Sequence, residues 1–505
     1  MNILTYVKKL IHILIVIIFY NCSTNNSKTE NIINESCPYE DVTGTCCNLE
    51  DLNCEGFCYG IAECVDVDYY LTTPDKSNLL QKTQFGISHH LDTINYTIDI
   101  NQNILFQEVK GFGFTLTGGS AFLLNNMESS VRGNLIQELF GDDSNSIGVS
   151  YLRISIGASD LDLTSFSYSD LPPGQTDIDL INFTLKNDLT NLIPVLNEII
   201  TVNPNIKIMA SPWSAPPWMK TNKSFVGGKL LKKFYSTYAN YFVKYIKGMD
   251  SYGIKIDAIT IQNEPENPFN NPSMIMTANE QMIFIKDYLG PLFDLEKIET
   301  KILIYDHNLD NINYPTSILA DDIANQYIDG TAFHLYAGDI NNMSLIKNMY
   351  PSKNIYFTEQ WIEAPGNFYS DINWHMKNIM IGAPRNWSVV VLQWNLAADQ
   401  NNDPHTFGGC SNCLGAITIQ GNEIKRNPAY YLIGHTSKFV KPNSLRIESS
   451  FSYNYPNVAY LTPDNKIVLI VYNNTELNAN ININLDREPV SIYIPSKSIG
   501  SLIWN

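Results

Sequence analysis

Two glutamates close apolar runs. Glu264 follows Ile259-Thr260-Ile261-Gln262-Asn263 and precedes Pro265, while Glu359 follows Ile355-Tyr356-Phe357-Thr358. A lone carboxylate at the end of an apolar strand is costly to bury without a partner or a task. Two such acids on opposite strands of a barrel would face each other across its mouth, where barrel enzymes do their chemistry. Carboxyls about 5–5.5 Å apart suit double-displacement cleavage of a glycosidic bond with retention of configuration. Glu359 is then the group that attacks the anomeric carbon. Glu264 protonates the leaving oxygen and later activates water, its pKa raised by the neighbouring charge. The competing reading makes either acid a surface residue or the partner of Arg153. Asn263 is placed to hold a sugar hydroxyl beside the acid.

Aromatic residues at other strand ends favour the catalytic reading. Trp213 and Trp218 lie in the segment 211–222, and Trp394 ends a later apolar run. An indole offers a flat apolar face to sugar C–H groups and an N–H to a hydroxyl. Any one tryptophan is as readily a packing residue, but the shared strand-end position singles out Trp213 and Trp394. His334 and Tyr336 end the run before Glu359 and are expected to position it. Other chemistries lack their motifs. Gly111-Phe-Gly-Phe-Thr-Leu-Thr-Gly118 has Leu116 where a dinucleotide loop needs its third glycine, and no zincin, phosphate-loop or Gly-x-Ser-x-Gly pattern occurs.

The elements that must position these residues follow from periodicity. Apolar strands at 106–116, 148–156, 206–211, 256–263, 300–306, 328–335, 354–359 and 387–395 alternate with helical stretches. Eight strands interleaved with helices predict a closed α/β architecture, a (β/α)8 TIM barrel over 106–436. The spacing of Leu231, Phe234, Tyr238, Phe242 and Tyr245 predicts a helix over 229–248, with Gly253 beyond its end. After about residue 440, short strands separated by Pro, Asn, Asp and Gly predict an all-β sandwich over 437–505, completed by 66–105 from the other chain end.

Composition narrows the class further. The 505 residues carry 33 Lys+Arg against 51 Asp+Glu, a net charge of −18, which speaks against nucleic acid or a polybasic hold on anionic lipid. Lys8-Lys9 followed by the apolar run 10–20 predicts a signal peptide over 1–22, too short to span a bilayer. Six cysteines at Cys37, Cys46, Cys47, Cys54, Cys58 and Cys64 define a disulfide-rich segment over 37–65, and Cys410 and Cys413 form a separate pair. Sequons at Asn34, Asn95, Asn182, Asn222, Asn342, Asn386 and Asn473 would suit glycosylation in a secretory pathway.

Together the segments Val109–Gly113, Tyr151–Asp160, Ala210–Asn222, Gln262–Pro265, Thr358-Glu359 and Gln393–Leu396 resemble glycoside hydrolase family 30, in order and across nearly the whole mature chain. The resemblance implies a barrel plus a sandwich built from both chain ends, with Glu264 as acid/base and Glu359 as nucleophile. It implies that Asp160, Trp213, Asn263 and Trp394 hold the glycosyl unit, with Arg153, His334 and Tyr336 lining the site, and that neither metal nor other cofactor is needed. The chain departs from the family at Gly118, where an acidic residue usually follows the threonine. Gln262, the run His334–Asp339 and Gly408–Cys413 look closer to microbial members, some of which cleave β-1,6-glucan.

The leading expectation is a secreted or lysosomal glucosylceramidase that releases glucose from glucosylceramide, with peripheral contact to a lipid surface. The alternative within the family is a secreted β-1,6-glucanase. The alternative of another class is a non-catalytic carbohydrate- or lipid-binding protein, against which both retained glutamates and Asn263 argue.

Overall fold

A computed structural model describes residues 67–83, 86–88, 93–485 and 489–504. The expected signal peptide, the six-cysteine segment and Asn34 lie outside the described residues.

Eight parallel strands close into a barrel: Gly111–Thr115, Tyr151–Ser155, Lys207–Ser211, Ala258–Thr260, Lys301–Leu309, Ile328–Gly338, Asn354–Glu359 and Ser388–Gln393. We number them one to eight. They are nearly all-buried runs such as Ser388-Val-Val-Val-Leu-Gln393, as expected when one face fills the barrel and the other meets helices. Tyr151, Met209, Ala258, Leu303, Ala332, Tyr356, Val390 and Leu392 pack together as the apolar barrel floor. Gly113 lets strands one and two approach, since a Cβ there would lie 1.8 Å from the Tyr151 carbonyl.

The stretch 106–116, read as one strand, divides into two. Its first part belongs to a 13-residue strand, Tyr96–Glu108, that pairs with sandwich strands on either side. The chain then enters the barrel at Gly111. Apolar character runs through both parts, so periodicity alone could not locate the break. The helix expected over 229–248 starts later, with a 3-10 turn at Lys232–Phe234 and an α-helix over Tyr235–Asp250.

Both chain ends build the second module. Val67–Thr72 pairs antiparallel with Ile499–Trp504, which pairs with Ile467–Tyr472. These strands alternate around a separate core that includes Tyr69, Ile98, Leu469, Ile481, Ile492 and Trp504. Helix Pro428–Ser437, buried along its whole length, lies between barrel strand one and Ile499–Trp504. Its His435 joins the modules: Nδ1 meets Ser501 Oγ at 2.7 Å and Nε2 meets Thr72 Oγ1 at 2.7 Å. Burial holds this imidazole neutral, with its pKa pushed down to about 3. The Asn473 sequon is also internal, because its fully buried amide donates to the carbonyls of Leu477, Ile494 and Pro495. No helix among the described residues is long and apolar enough to cross a membrane.

Replacing His435 by leucine removes both side-chain bonds between the modules and leaves Ser501 Oγ only the residue-435 carbonyl and Thr72 Oγ1 only the Leu80 N–H. Urea unfolding is expected to show a loss of about 2–4 kcal/mol. A loss under about 0.5 kcal/mol would contradict a bridging role.

Candidate active site

Arg153 rises from strand two, wholly buried, into the middle of the barrel mouth. Its Nη1 donates to Glu359 Oε2 at 2.5 Å, and its Nη2 donates to Asn263 Oδ1 at 2.7 Å and to Asp306 Oδ2 at 2.8 Å. Asp306, at φ +61°, also accepts from the hydroxyls of Ser211, Thr260 and Thr358. Its Oδ1 lies 3.1 Å from His334 Nε2. The other ring nitrogen, Nδ1, lies 3.1 Å from Glu264 Oε1 and 3.8 Å from Glu359 Oε1. Tyr336 donates its hydroxyl to Glu359 Oε1 at 3.0 Å. Asn267 and Asn270 donate to Glu264 Oε2 at 2.7 and 3.4 Å. Thus six residues read from sequence meet here: Arg153, Asn263, Glu264, His334, Tyr336 and Glu359.

Strand ends hold these groups in conformations ordinary residues avoid. Glu264 has φ +45°, and its backbone N–H donates to the Asp306 carbonyl at 2.9 Å. Asn395, just past Trp394, has φ +71°, and its Oδ1 accepts from the Thr117 and Ser120 hydroxyls. Left-handed non-glycine residues cost roughly 1–3 kcal/mol each and persist where the surroundings over-determine them.

The charges explain one another. Burial disfavours ionised Asp306, but Arg153 and His334 outweigh it and hold the carboxyl far below the usual range. Burial likewise opposes a charge on His334, yet Glu359 and the bonds to Asp306 and Glu264 raise its pKa to about 9. Burial pushes Glu359 up, against the lowering pull of His334 and Arg153. The expected elevation of Glu264 is not found. Burial acts in that direction, but the hydrogen bond and charge of His334 overcome it and bring Glu264 down to about 2. His334 was expected to position Glu359. Its shorter contact is with Glu264, because the ring reaches across the mouth from strand six.

A cavity of about 220 Å³ opens above these groups, lined by Asp160, Trp213, Glu264, Asn270, Tyr336, Glu359, Trp361, Trp394, Cys410 and Cys413. Trp213 and Trp394 lie with ring centroids 5.5 Å apart, and the Arg153 guanidinium sits 4.8 Å over the Trp213 ring. Trp218 is outside the cavity, packed on Phe234 with its indole N–H on the Ser169 carbonyl. Asp160 accepts from the Cys410 N–H at 3.3 Å; burial first, then the Glu359 and Glu264 charges, push its carboxyl up to about 7. Cys410 and Cys413 are joined as a disulfide. The departure at Gly118 has a steric reason: a Cβ there would lie 1.6 Å from Asp162 Oδ1.

Sequence reasoning missed Asp306, Trp361, Asn267 and Asn270; it paired Cys410 with Cys413, as found, but did not place that disulfide in the wall of the site. Asp306 had the same signal as the glutamates, an acid near the end of an apolar strand. The others sit in loops, where spacing carries no positional information. Oxygens of Glu264 and Glu359 and a nitrogen of His334 all lie within 4.8 Å of one another, a spacing that would also admit a metal ion. Metal binding there would require His334 to give up a proton that its bonds to Asp306 and Glu264 favour.

His334 titrates above its unfolded value of about 6.5. Its contribution to stability is therefore fully present below about pH 6.5 and is lost as pH rises through about 9. The stability gap between wild type and His334→Gln should be widest near pH 6 and narrow by about 3 kcal/mol towards pH 10, as followed by thermal or urea unfolding. A gap independent of pH would contradict a cationic His334.

Residues 109–440 match the glycosyl hydrolase family 30 TIM-barrel domain, and 443–502 match that family's β-sandwich domain. The endo-1,6-β-D-glucanase of Aspergillus fumigatus is 32% identical over 408 residues, covering 75% of this chain and 81% of its own. A solved endo-β1,6-glucanase structure superposes with TM-score 0.81 at 34% identity, covering 87% of this chain and 99% of that one. The lysosomal acid glucosylceramidase of Mus musculus is 26% identical over 429 residues, covering 79% of this chain and 81% of its own. Barrel, sandwich and matched segments together make this chain a member of glycoside hydrolase family 30.

Proposed function

We propose that the protein is an exported, retaining β-1,6-glucanase in which Glu359 is the nucleophile and Glu264 the acid/base. The observation that carries the chemistry is the carboxylate spacing. Oxygens of the two acids within 4.8 Å leave no room between them for the water an inverting enzyme needs. The substrate reading rests on the relatives: β-1,6-glucanases align at 32–34% identity, against 26% for the lysosomal glucosylceramidase. That ordering moves glucosylceramide, the leading expectation from sequence, behind the glucan. The apolar N-terminal run and the Cys410–Cys413 disulfide support export to an oxidising compartment.

The geometry supports each step. Arg153, His334, Asp306, Glu264 and Glu359 carry two positive and three negative charges when all are ionised, so one added proton neutralises the buried cluster. The pair of glutamates holds that proton jointly. In the free site Glu264 is the more acidic partner, because His334 bonds it. A bound glycosidic oxygen beside Glu264 supplies an acceptor that favours the proton there. Arg153 and Tyr336, both donating to Glu359, then stabilise its charged attacking form. Glu359 bonds to the anomeric carbon as the C–O bond to the leaving group breaks and Glu264 gives that oxygen its proton. Water next gives a proton to Glu264, adds to the anomeric carbon and frees Glu359. Asn263 has its Oδ1 on Arg153, which leaves its amide N–H groups for a sugar hydroxyl.

Reducing sugar released from pustulan, a β-1,6-glucan, is expected to exceed glucose released from detergent-dispersed glucosylceramide. The reverse ordering would restore the glucosylceramidase reading, and inactivity on both with an intact fold would favour a binding protein. Glu359→Gln should lower kcat by roughly a thousand-fold or more with the fold retained. Near wild-type turnover in that variant would remove Glu359 as the nucleophile. Glu264→Gln should harm the glucan far more than an activated aryl glycoside, whose leaving group needs little protonation. Equal losses on both would remove Glu264 as the acid.

A further inference from the structure

Two amides from the loop that follows strand four hold Glu264, and their grips are unequal. Asn267 is locked in place. Its backbone N–H donates to the Glu264 carbonyl at 2.9 Å, its side-chain amide donates to Glu264 Oε2 at 2.7 Å, and its Oδ1 accepts from the Phe269 N–H at 3.0 Å. Asn270 is held loosely. Its amide makes one long bond, 3.4 Å to the same Oε2, and its Oδ1 accepts none from the described residues. The backbone beside it is fixed all the same. Asn271 donates its amide to the Phe407 carbonyl at 2.9 Å, accepts from the Ser165 hydroxyl on Oδ1 at 2.9 Å, and accepts from the Thr406 hydroxyl on its carbonyl. A loosely held amide thus stands on a firm loop, and it lines the same cavity as Glu264 and Glu359.

We infer that Asn270 determines specificity for the leaving group: its amide turns from Glu264 to a hydroxyl of the departing sugar. The inference rests on the glucanase reading above and adds a residue that recognises the outgoing unit. A carboxyl oxygen has about two acceptor positions. On Oε2, Asn267 and Asn270 fill both, while Oε1 is held by the wholly buried His334. Both amides favour the ionised acid, yet the acid must carry a proton when the glycosidic bond breaks. Seating that proton on Oε2 requires one amide to withdraw, and the 3.4 Å bond yields before the 2.7 Å one. The place it vacates is the one the glycosidic oxygen enters, within about 3.2 Å of the acid. The freed amide then stands beside the sugar carried by that oxygen. It offers both a donor and an acceptor, and the leaving end of a β-1,6 linkage presents a ring oxygen and a 4-hydroxyl near the bond. An alcohol without neighbouring hydroxyls gives it nothing to bind.

Two substrates with the same retained portion isolate this contact. Gentiotetraose loses its reducing-end unit as glucose, and n-hexyl β-gentiotrioside loses hexanol. Both leaving groups are primary alcohols that need protonation, but only glucose carries hydroxyls beside the bond. Asn270→Ala is expected to lower kcat/KM for glucose release by roughly 3- to 10-fold and for hexanol release by less than about two-fold. Asn267→Ala, which loosens the acid itself, should lower both to the same extent. Retained hexanol release also shows that the Asn270 variant is folded. Equal losses on the two substrates in Asn270→Ala would leave the residue an aid to Glu264 alone and overturn the inference. Unchanged release of both products would overturn it as well, and so would a loss in Asn267→Ala confined to glucose. A wild-type enzyme inactive on pustulan would instead overturn the glucanase reading and this inference with it, an outcome seen before any variant is made.

Discussion

The site depends on one buried ion pair, Arg153 with Asp306. Neither side chain is exposed, and each would be costly alone, since breaking such a pair strands a charge at about 3–5 kcal/mol. The pair is retained because its remaining hydrogen-bonding capacity is filled from four strands and their ends. Ser211, Thr260, Thr358, Asn263 and His334 supply those bonds. Arg153 then fixes Glu359 and Asp306 fixes His334, which in turn sets Glu264. The two acids are consequently positioned by one connected network, and a small shift of either charge at its centre displaces both.

The rest of the fold serves to hold that network still. The apolar floor of the barrel excludes water from beneath Arg153, which strengthens each of its hydrogen bonds. Outside the barrel, helix Pro428–Ser437 and the sandwich made from both chain ends brace strand one and the strand eight side. The long strand Tyr96–Glu108 runs from sandwich to barrel entrance, so the modules share a continuous backbone beyond their side-chain contacts. Above the network the walls come from loops, and one of them, through Asn267 and Asn270, also holds Glu264 Oε2.

How legible this was in the sequence follows from the same division. Glu264, Glu359, Arg153 and His334 lie in apolar strands, where a charged residue stands out and its strand-end position fixes its height in the barrel. The closed barrel and the sandwich were legible for a similar reason, because buried strands and turn residues alternate regularly. The split of 106–116 was hidden by apolar residues on both sides of the break. Asp306 obeyed the rule that found the glutamates but was absorbed into strand five. The proton affinity of Glu264 was misjudged because it is set by His334, a neighbour 70 residues away that approaches only in the closed barrel. Asn267, Asn270, Trp361 and the disulfide wall sit in loops, where sequence spacing says little about distance.

The central claim is that two acids held by one charged network cleave a β-glucosidic bond by double displacement. Proton NMR of pustulan hydrolysis, recorded within the first turnovers before mutarotation, tests it most directly. Attack by Glu359, followed by water entering on the face that the leaving group vacated, predicts that new reducing ends appear first as the β-anomer. Initial release of the α-anomer would mean a single displacement by water, and the account of Glu359 as nucleophile would fail.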